Sequence, residues 1–420
     1  VIPVLLALLA AGRVVTLEEA LRAAREHQPQ LRLARAGSDA AGARARQAFA
    51  PLLPQVSGTA RYTRSAHAVD RTVAADGTIA EGYNSFLATI GASQLLWDFG
   101  AKPYRWKAAQ ASARASEDTA LATALLVELN VRSAYSEARA NRALAAVADE
   151  SLQNQQRHLE QIQGFVGAGT RPEIDLAQAR TDTANARVAL INAENAYQTS
   201  KLQLNAAMGV EGPTDYELGD ERGQPVGGED GPLQPLLDEG VQARPDLASL
   251  AEQIRAEQLT LRAFEGQYGP ALSANLGFTQ TGPALDRLGW NASAGLTLSW
   301  DVFQGGLTRA QVGEAEANVA GAVAQLDLLR QQIRVDVDGA RLAVRAAKAS
   351  LGAAQEALVN ARERLRLAEQ RYEVGVGSAI ELGDAQVALT QAGAQLVQAD
   401  DRLALARAQL MHALGRHREQ

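Results

Sequence analysis

With 420 residues, 46% hydrophobic but only 5% aromatic, and a formal net charge of -7, the chain has the make-up of long helices rather than of a thick globular core. No basic stripe or stacking aromatic platform is present, which argues against nucleic acid as a partner. The absence of cysteine excludes disulfides, thiolate metal sites and cysteine nucleophiles, and no run approaches the roughly 18 apolar residues of a membrane-spanning helix.

Residues 1–11 are apolar and followed by small residues, like the back end of a secretory signal, so 1–15 reads as a residual signal peptide and implies export. A helix is expected over 16–50, then strands over about 55–64 and 86–97 with a polar loop at 66–84 between them. Val56, Gly58, Ala60 and Tyr62 alternate with Ser57, Thr59, Arg61 and Thr63. In the second strand Phe86, Ala88 and Ile90 give way to Leu95 and Trp97 on the other parity, which predicts a bulge near Gln94. Long helices follow over 103–165 and 172–209. The second of these carries Leu176, Ala179, Thr183, Ala186, Leu190 and Ala193 in steps of three and four.

After a Gly- and Pro-rich linker at 210–235, the pattern starts again. A helix over 236–266 precedes strands at about 271–280 and 290–300 and helices at 307–373 and 379–414, before a tail at 416–420. Gln28-Pro29 recurs as Arg244-Pro245, Trp97-Asp98 as Trp300-Asp301, and Ala207-Met208-Gly209 as Ala413-Leu414-Gly415. The chain is therefore read as two repeats, 16–209 and 236–415.

Each strand is about 10 residues long, enough for a tilted strand to cross a bilayer, and Trp97, Trp290 and Trp300 fit an interfacial aromatic girdle. Four strands cannot close a barrel, so strands that span a membrane must be shared among several chains. In the second repeat, Val337, Ala340, Val344, Ala347, Leu351, Ala354, Leu358 and onward to Tyr372 keep a 3.5-residue period, which predicts left-handed winding about neighbouring helices. No heptads are assignable in 103–165.

The turns between paired helices also recur, Gly167-Ala168-Gly169-Thr170 against Gly375-Val376-Gly377-Ser378. Their glycines suit left-handed dihedrals, and Thr170 to Glu173 and Ser378 to Glu381 have capping-box form. Turn chemistry alone explains these residues without any partner. The five histidines are scattered, no metal or cofactor motif is found, and nothing points to an enzyme. Two readings stand on the residues: an exported oligomeric channel, or a soluble coiled-coil scaffold or periplasmic adaptor.

The duplicated strand-pair and hairpin units, the Val-Gly-x-Gly-Thr/Ser tips, the Trp-Asp-x-Phe-x-Gly-Gly run from Trp300 and the Ile-Glu-Leu-Gly-Asp-Ala start from Ile380 resemble the TolC-type outer membrane efflux family over residues 16–415. The resemblance implies a mainly α fold with a membrane β part: a homotrimer whose 12 strands form one outer-membrane β-barrel, continued through the periplasm by a tunnel of 12 helices. It implies a passive duct that docks a periplasmic adaptor and an inner-membrane transporter of the RND, ABC or major facilitator type, and that expels drugs, metals or proteins without a cofactor. The tips match the adaptor-contacting ends, and Glu381 and Asp384 match paired acids that ring the pore entrance. Asp175 and Tyr372 match positions that help hold the entrance shut. The arginine expected beside them is Gly377 here, and Ile174 replaces a polar partner, so the closure must differ.

Overall fold

The computed structural model describes residues 13–65, 83–221 and 223–416. Contacts divide the chain into two compact units, each drawn from both halves of the sequence: Val1–Ala36, Thr119–Leu247 and Leu328–Gln420 in the first, Gly37–Asp118 and Ala248–Asp327 in the second. The element order repeats. β1 (Arg13–Val15), α1 (Leu17–His27), α2 (Pro29–Phe49), β2 (Gln55–Ser65), β3 (Tyr83–Trp97), α3 (Ala101–Gly167) and α4 (Glu173–Met208) are answered, after β4 (Tyr216–Leu218), by α5 (Leu233–Ala243), α6 (Pro245–Glu265), β5 (Ala271–Gly282), β6 (Gly289–Ser299), α7 (Leu307–Glu373) and α8 (Ala379–Ala413).

The helices expected over 16–50 and 236–266 are each broken in two. Gln28 and Arg244 precede prolines and are extended, with ψ of 119° and 121°, because the proline ring disfavours helical backbone in the residue before it. Both breaks are used. The Gln28 amide donates to the carbonyls of Ala206 and Ala207 at the end of α4, and Arg244 pairs with Asp246 and Asp336. Gly209 and Gly415, both at positive φ, pack so tightly on these breaks that an added Cβ would lie 2.6 Å from Gln28 Cα and 2.8 Å from the Ala243 carbonyl.

The leader and linker readings need correction at their edges. Residues 13–15 belong to the fold as β1, which pairs in parallel with β4 inside the expected linker; the remainder of the leader, 1–12, lies outside the described residues. The three-residue alternation Tyr216-Glu217-Leu218, with both hydrophobic side chains buried, is too short to stand out among turn residues. Tyr135 of α3 reaches this pair, its hydroxyl 3.3 Å from the Val15 carbonyl and 3.1 Å from that of Gly219. Burial pushes the phenol up to about 12, so it remains a donor. Further along the linker, Glu229 is buried. Burial alone would raise its pKa, but hydrogen bonds from Arg407 and Lys348 outweigh that and hold it near 2.

The heptad seams of α7 and α8 face inward as expected: Val337, Val344, Leu382, Ala385 and Leu410 are at most 2% exposed. α3 also carries a seam, with Val131, Tyr135, Ala138 and Leu152 buried in steps that fit a 3.5-residue period. Polar residues share its face, which hides it in the sequence. Glu128 is bound by Arg25, and Arg142 donates to the Leu218 carbonyl.

Candidate functional site

Two features of the fold carry functional information, one in each unit: the two faces of the four-stranded sheet, and the paired hairpin tips.

The sheet is antiparallel with order β2-β3-β5-β6. Its register stacks Val56, Ala92, Leu276 and Ala294 in one row and Gly58, Ile90, Phe278 and Ala292 in the next, so one face is apolar from edge to edge. This face is open to its surroundings: Val56 is 71% exposed, Ile90 61%, Leu276 60% and Leu296 69%. The opposite face is hydroxylated, and there the Thr89 and Thr279 side chains meet at 3.3 Å and Asn275 donates to Thr297. An apolar sheet face of this extent does not stay in water; it matches lipid.

The tryptophans mark the limits of that face. Trp97, opposite Leu272, and Trp300 lie at the end where the strands join helices, and Trp290, opposite Gln280, lies at the other. All three are more than half exposed. Ten residues separate Trp290 from Trp300, which at about 3.4 Å per residue and a tilt of about 45° gives a height of roughly 24 Å, close to the ~25 Å apolar band of an outer-membrane barrel.

The bulge in β3 falls between Leu95 and Trp97, slightly later than the sequence suggests. Leu96 is the extra residue, so Leu95 stays on the hydroxylated face and Trp97 returns to the apolar one. Past the strand, buried Asp98 caps α3 by accepting from Gly100 and Lys102 backbone nitrogens. Phe99, at φ 53°, lies against Gly269, where a Cβ would come within 2.1 Å of the ring.

At the tips, α3 ends at Gly167 and α4 starts at Glu173, with Ala168, Gly169 and Thr170 in the turn. Only Gly169 and Gly375 use the left-handed region (φ 73° and 81°); Gly167 and Gly377 do not. Gly377 is required for a different reason, since a Cβ there would meet the Tyr372 nitrogen at 2.9 Å. The capping box expected at Thr170 is not formed: the N-cap is Pro172, and the Thr170 hydroxyl donates to the Phe165 carbonyl instead. At the second tip half of the box forms. Ser378 accepts from the Glu381 nitrogen, but the Glu381 carboxylate turns to Arg371, 3.3 Å away. The tips are also less polar than their sequence suggests, for Ile174, Val374, Val376 and Ile380 are 70–77% exposed.

Behind the turns lies a small aromatic core. Tyr372 is 2% exposed, with His158 at 5.5 Å and Phe165 at 6.2 Å edge-on, and the Arg171 guanidinium is 4.5 Å from its ring centre. Asp175 is close enough to help raise the Tyr372 pKa, after burial, but the tyrosine hydroxyl has no hydrogen-bond partner. Arg171 and His158 were not singled out in the sequence; only contact with Tyr372 reveals them. Asp384 is exposed and forms no ion pair with a described residue.

A cavity of about 1090 Å³ in the first unit is walled in part by arginines. Three of the arginines on its wall, Arg139, Arg407 and Arg416, are each paired with a carboxylate.

The outer membrane efflux protein family model matches residues 20–210 and 236–416. The chain belongs to that family. Among curated relatives, it is 28% identical over 312 residues to the fusaric acid resistance protein FusA of Burkholderia cepacia, a match that takes in 71% of this chain and only 57% of FusA. It is 27% identical to outer membrane protein TolC of Escherichia coli, over 100% of this chain and 87% of TolC. The crystal structure of the outer membrane protein VceC of Vibrio cholerae superposes with a TM-score of 0.83 at 22% identity, covering 95% of this chain and 96% of that one. The fold of this efflux protein is thus that of outer-membrane channel chains.

Proposed function

We propose that this efflux protein is a homotrimeric exit duct. Three four-stranded sheets close one 12-stranded barrel in the outer membrane, and the paired helices line a tunnel through the periplasm. The observation that carries this reading is the sheet itself, apolar and open on one face, hydroxylated on the other, with β2 and β6 each paired on one side only among the described residues. Unpaired backbone in lipid costs several kcal/mol per group, so both edges need partners. A scaffold or adaptor gives no reason for such a sheet, and that alternative is set aside.

The tips are the surface offered to a periplasmic adaptor. The turn residues Gly167, Ala168, Gly169, Thr170, Gly375, Val376, Gly377 and Ser378 present exposed valines and isoleucines that a helical-hairpin partner would cover. Behind the adaptor, an inner-membrane transporter of the RND, ABC or major facilitator type supplies the energy. Glu381 and Asp384 ring the entrance in the trimer, with Asp384 the freer of the two charges, and Asp175 and Tyr372 take part in closing it. The relatives' names attach fusaric acid resistance to one and toluene efflux to others, which supports expulsion of small organic toxins. Cell fractionation tests the reading: the protein should sediment with the outer membrane and run as a heat-modifiable trimer, and a deletion strain should become sensitive to such compounds. Recovery as a detergent-independent soluble monomer would overturn it.

A further inference from the structure

We propose that Arg61 forms a cationic collar at the outer mouth of the duct, which makes the exit disfavour cations. The inference rests on the trimeric-barrel reading and adds to it a residue that sets ion preference. On the hydroxylated face, the paired positions from the Arg61–Leu87–Thr281–Gly289 row, just beyond Trp290, down to the Trp97 row are serine, threonine, asparagine, glutamine or glycine, apart from Leu87, Leu95 and Arg61. Arg61 is the one charged side chain among them. It is exposed and forms no ion pair with a described residue.

The register fixes its height. Arg61 pairs with Leu87, Leu87 with Thr281, and Thr281 with Gly289, one residue from Trp290. All four strands meet their helices or 3-10 turns at the opposite end, beside Trp97 and Trp300. Arg61 therefore lies near the far opening, away from the helices. In a closed barrel the hydroxylated face is the lumen, since the apolar face takes the lipid.

Geometry makes the collar effective. Twelve strands about 4.8 Å apart and tilted by about 45° close at a backbone radius of roughly 13 Å. An extended arginine stem crosses about half of that radius, which leaves three guanidiniums within about one Debye length (~8 Å) of the axis at physiological salt. Their fields overlap across the opening, and a ring of like charge selects against ions of the same sign. Among the described residues, the β5–β6 connection at the same end adds Asp286 and Arg287, one charge of each sign.

The test uses the full-length trimer in planar bilayers under a potassium chloride gradient. The unsubstituted channel and R61K should share one reversal potential. R61Q and then R61E should move stepwise toward cation preference, with the K⁺/Cl⁻ permeability ratio rising severalfold at R61E and more strongly in dilute than in concentrated salt. Hexacyanoferrate added on the extracellular side should block the unsubstituted channel. Reversal potentials that coincide for R61K, R61Q and R61E overturn the collar, and so does failure of hexacyanoferrate to block the unsubstituted protein, a measurement that needs no variant to fold. Recovery of the unsubstituted protein as a detergent-independent soluble monomer overturns the duct reading itself.

Discussion

The core behind the tips shows how one residue can set the working conditions of a larger element. His158 of α3 is buried, its Nδ1 has no hydrogen-bond partner, and its ring meets the buried Tyr372 of α7 edge-on. Burial lowers its pKa below the usual 6.5, while Asp182 and Asp175 from α4 and a hydrogen bond with Gln161 pull the other way. A group with a depressed folded-state pKa binds fewer protons folded than unfolded. Its contribution is complete above 6.5 and is lost as pH falls from there through the folded-state value. Once the intrinsic slowing of exchange toward acid is divided out, the protection of amides around His158 and Phe165 should therefore fall between about pH 7 and pH 5, and His158→Phe should remove that fall. An unaltered pH response in His158→Phe would show that the aromatic core does not sense protons. Arg171 brings a positive charge to the core, stacked on Tyr372 where the family resemblance led one to expect an arginine at 377. That substitution of partner was invisible in the sequence, because cation–π contact depends on where two turns meet.

Among the elements, those with a strict period were legible and those defined by a few residues were not. The strands show because lipid on one side and water on the other enforce a two-residue alternation; the seams of α4, α7 and α8 show because alanine and leucine alternate along them. The seam of α3 was hidden because Glu128 and Arg142 lie beside its buried apolar residues, each with a partner elsewhere in the chain that one-dimensional periodicity cannot supply. The breaks at Gln28 and Arg244 were signalled by the following prolines, yet the apolar pattern ran on through them. Of the predicted site residues, Glu381 illustrates the limit: its spacing from Ser378 announced a cap, whereas its carboxylate went to Arg371, outside the box. The sheet supports the sharpest element-level prediction. Leu296 and Leu298 are 69% and 65% exposed on the apolar face, near the middle and the helix end of β6. Lysine at the middle of a lipid-facing strand costs on the order of 2–4 kcal/mol and less toward the interface. Leu296→Lys with Leu298→Lys should abolish the heat-modifiable outer-membrane species, while Thr297→Lys between them, on the hydroxylated face, should leave it in place. Equal tolerance of all three would mean that both faces meet water.

At the level of the whole molecule, the question is how the sheet edges are satisfied. β2 and β6 lie at opposite edges of one sheet, separated by β3 and β5, about 14 Å apart at ~4.8 Å per strand spacing. A disulfide needs Cα atoms no more than about 7 Å apart, so cysteines placed on β2 and β6 of one flat sheet cannot reach each other. Antiparallel order also makes β6 of one copy and β2 of the next run in opposite directions, which permits them to pair. The chain has no native cysteine, so introduced pairs report without background. Thr59→Cys combined in turn with Asn291→Cys, Ser293→Cys and Gly295→Cys samples successive registers on the hydroxylated face. One register should give an oxidised ladder of monomer, dimer and trimer on a denaturing gel, with nothing larger, because a third link closes the ring. A ladder that stops at the dimer would mean eight strands instead of twelve, and a ladder that continues past the trimer would mean an open edge. Failure at every register would mean that the edges are met by some other chain. The same series fixes the stagger between protomers, and through it the tilt and the radius on which the reach of Arg61 into the lumen depends.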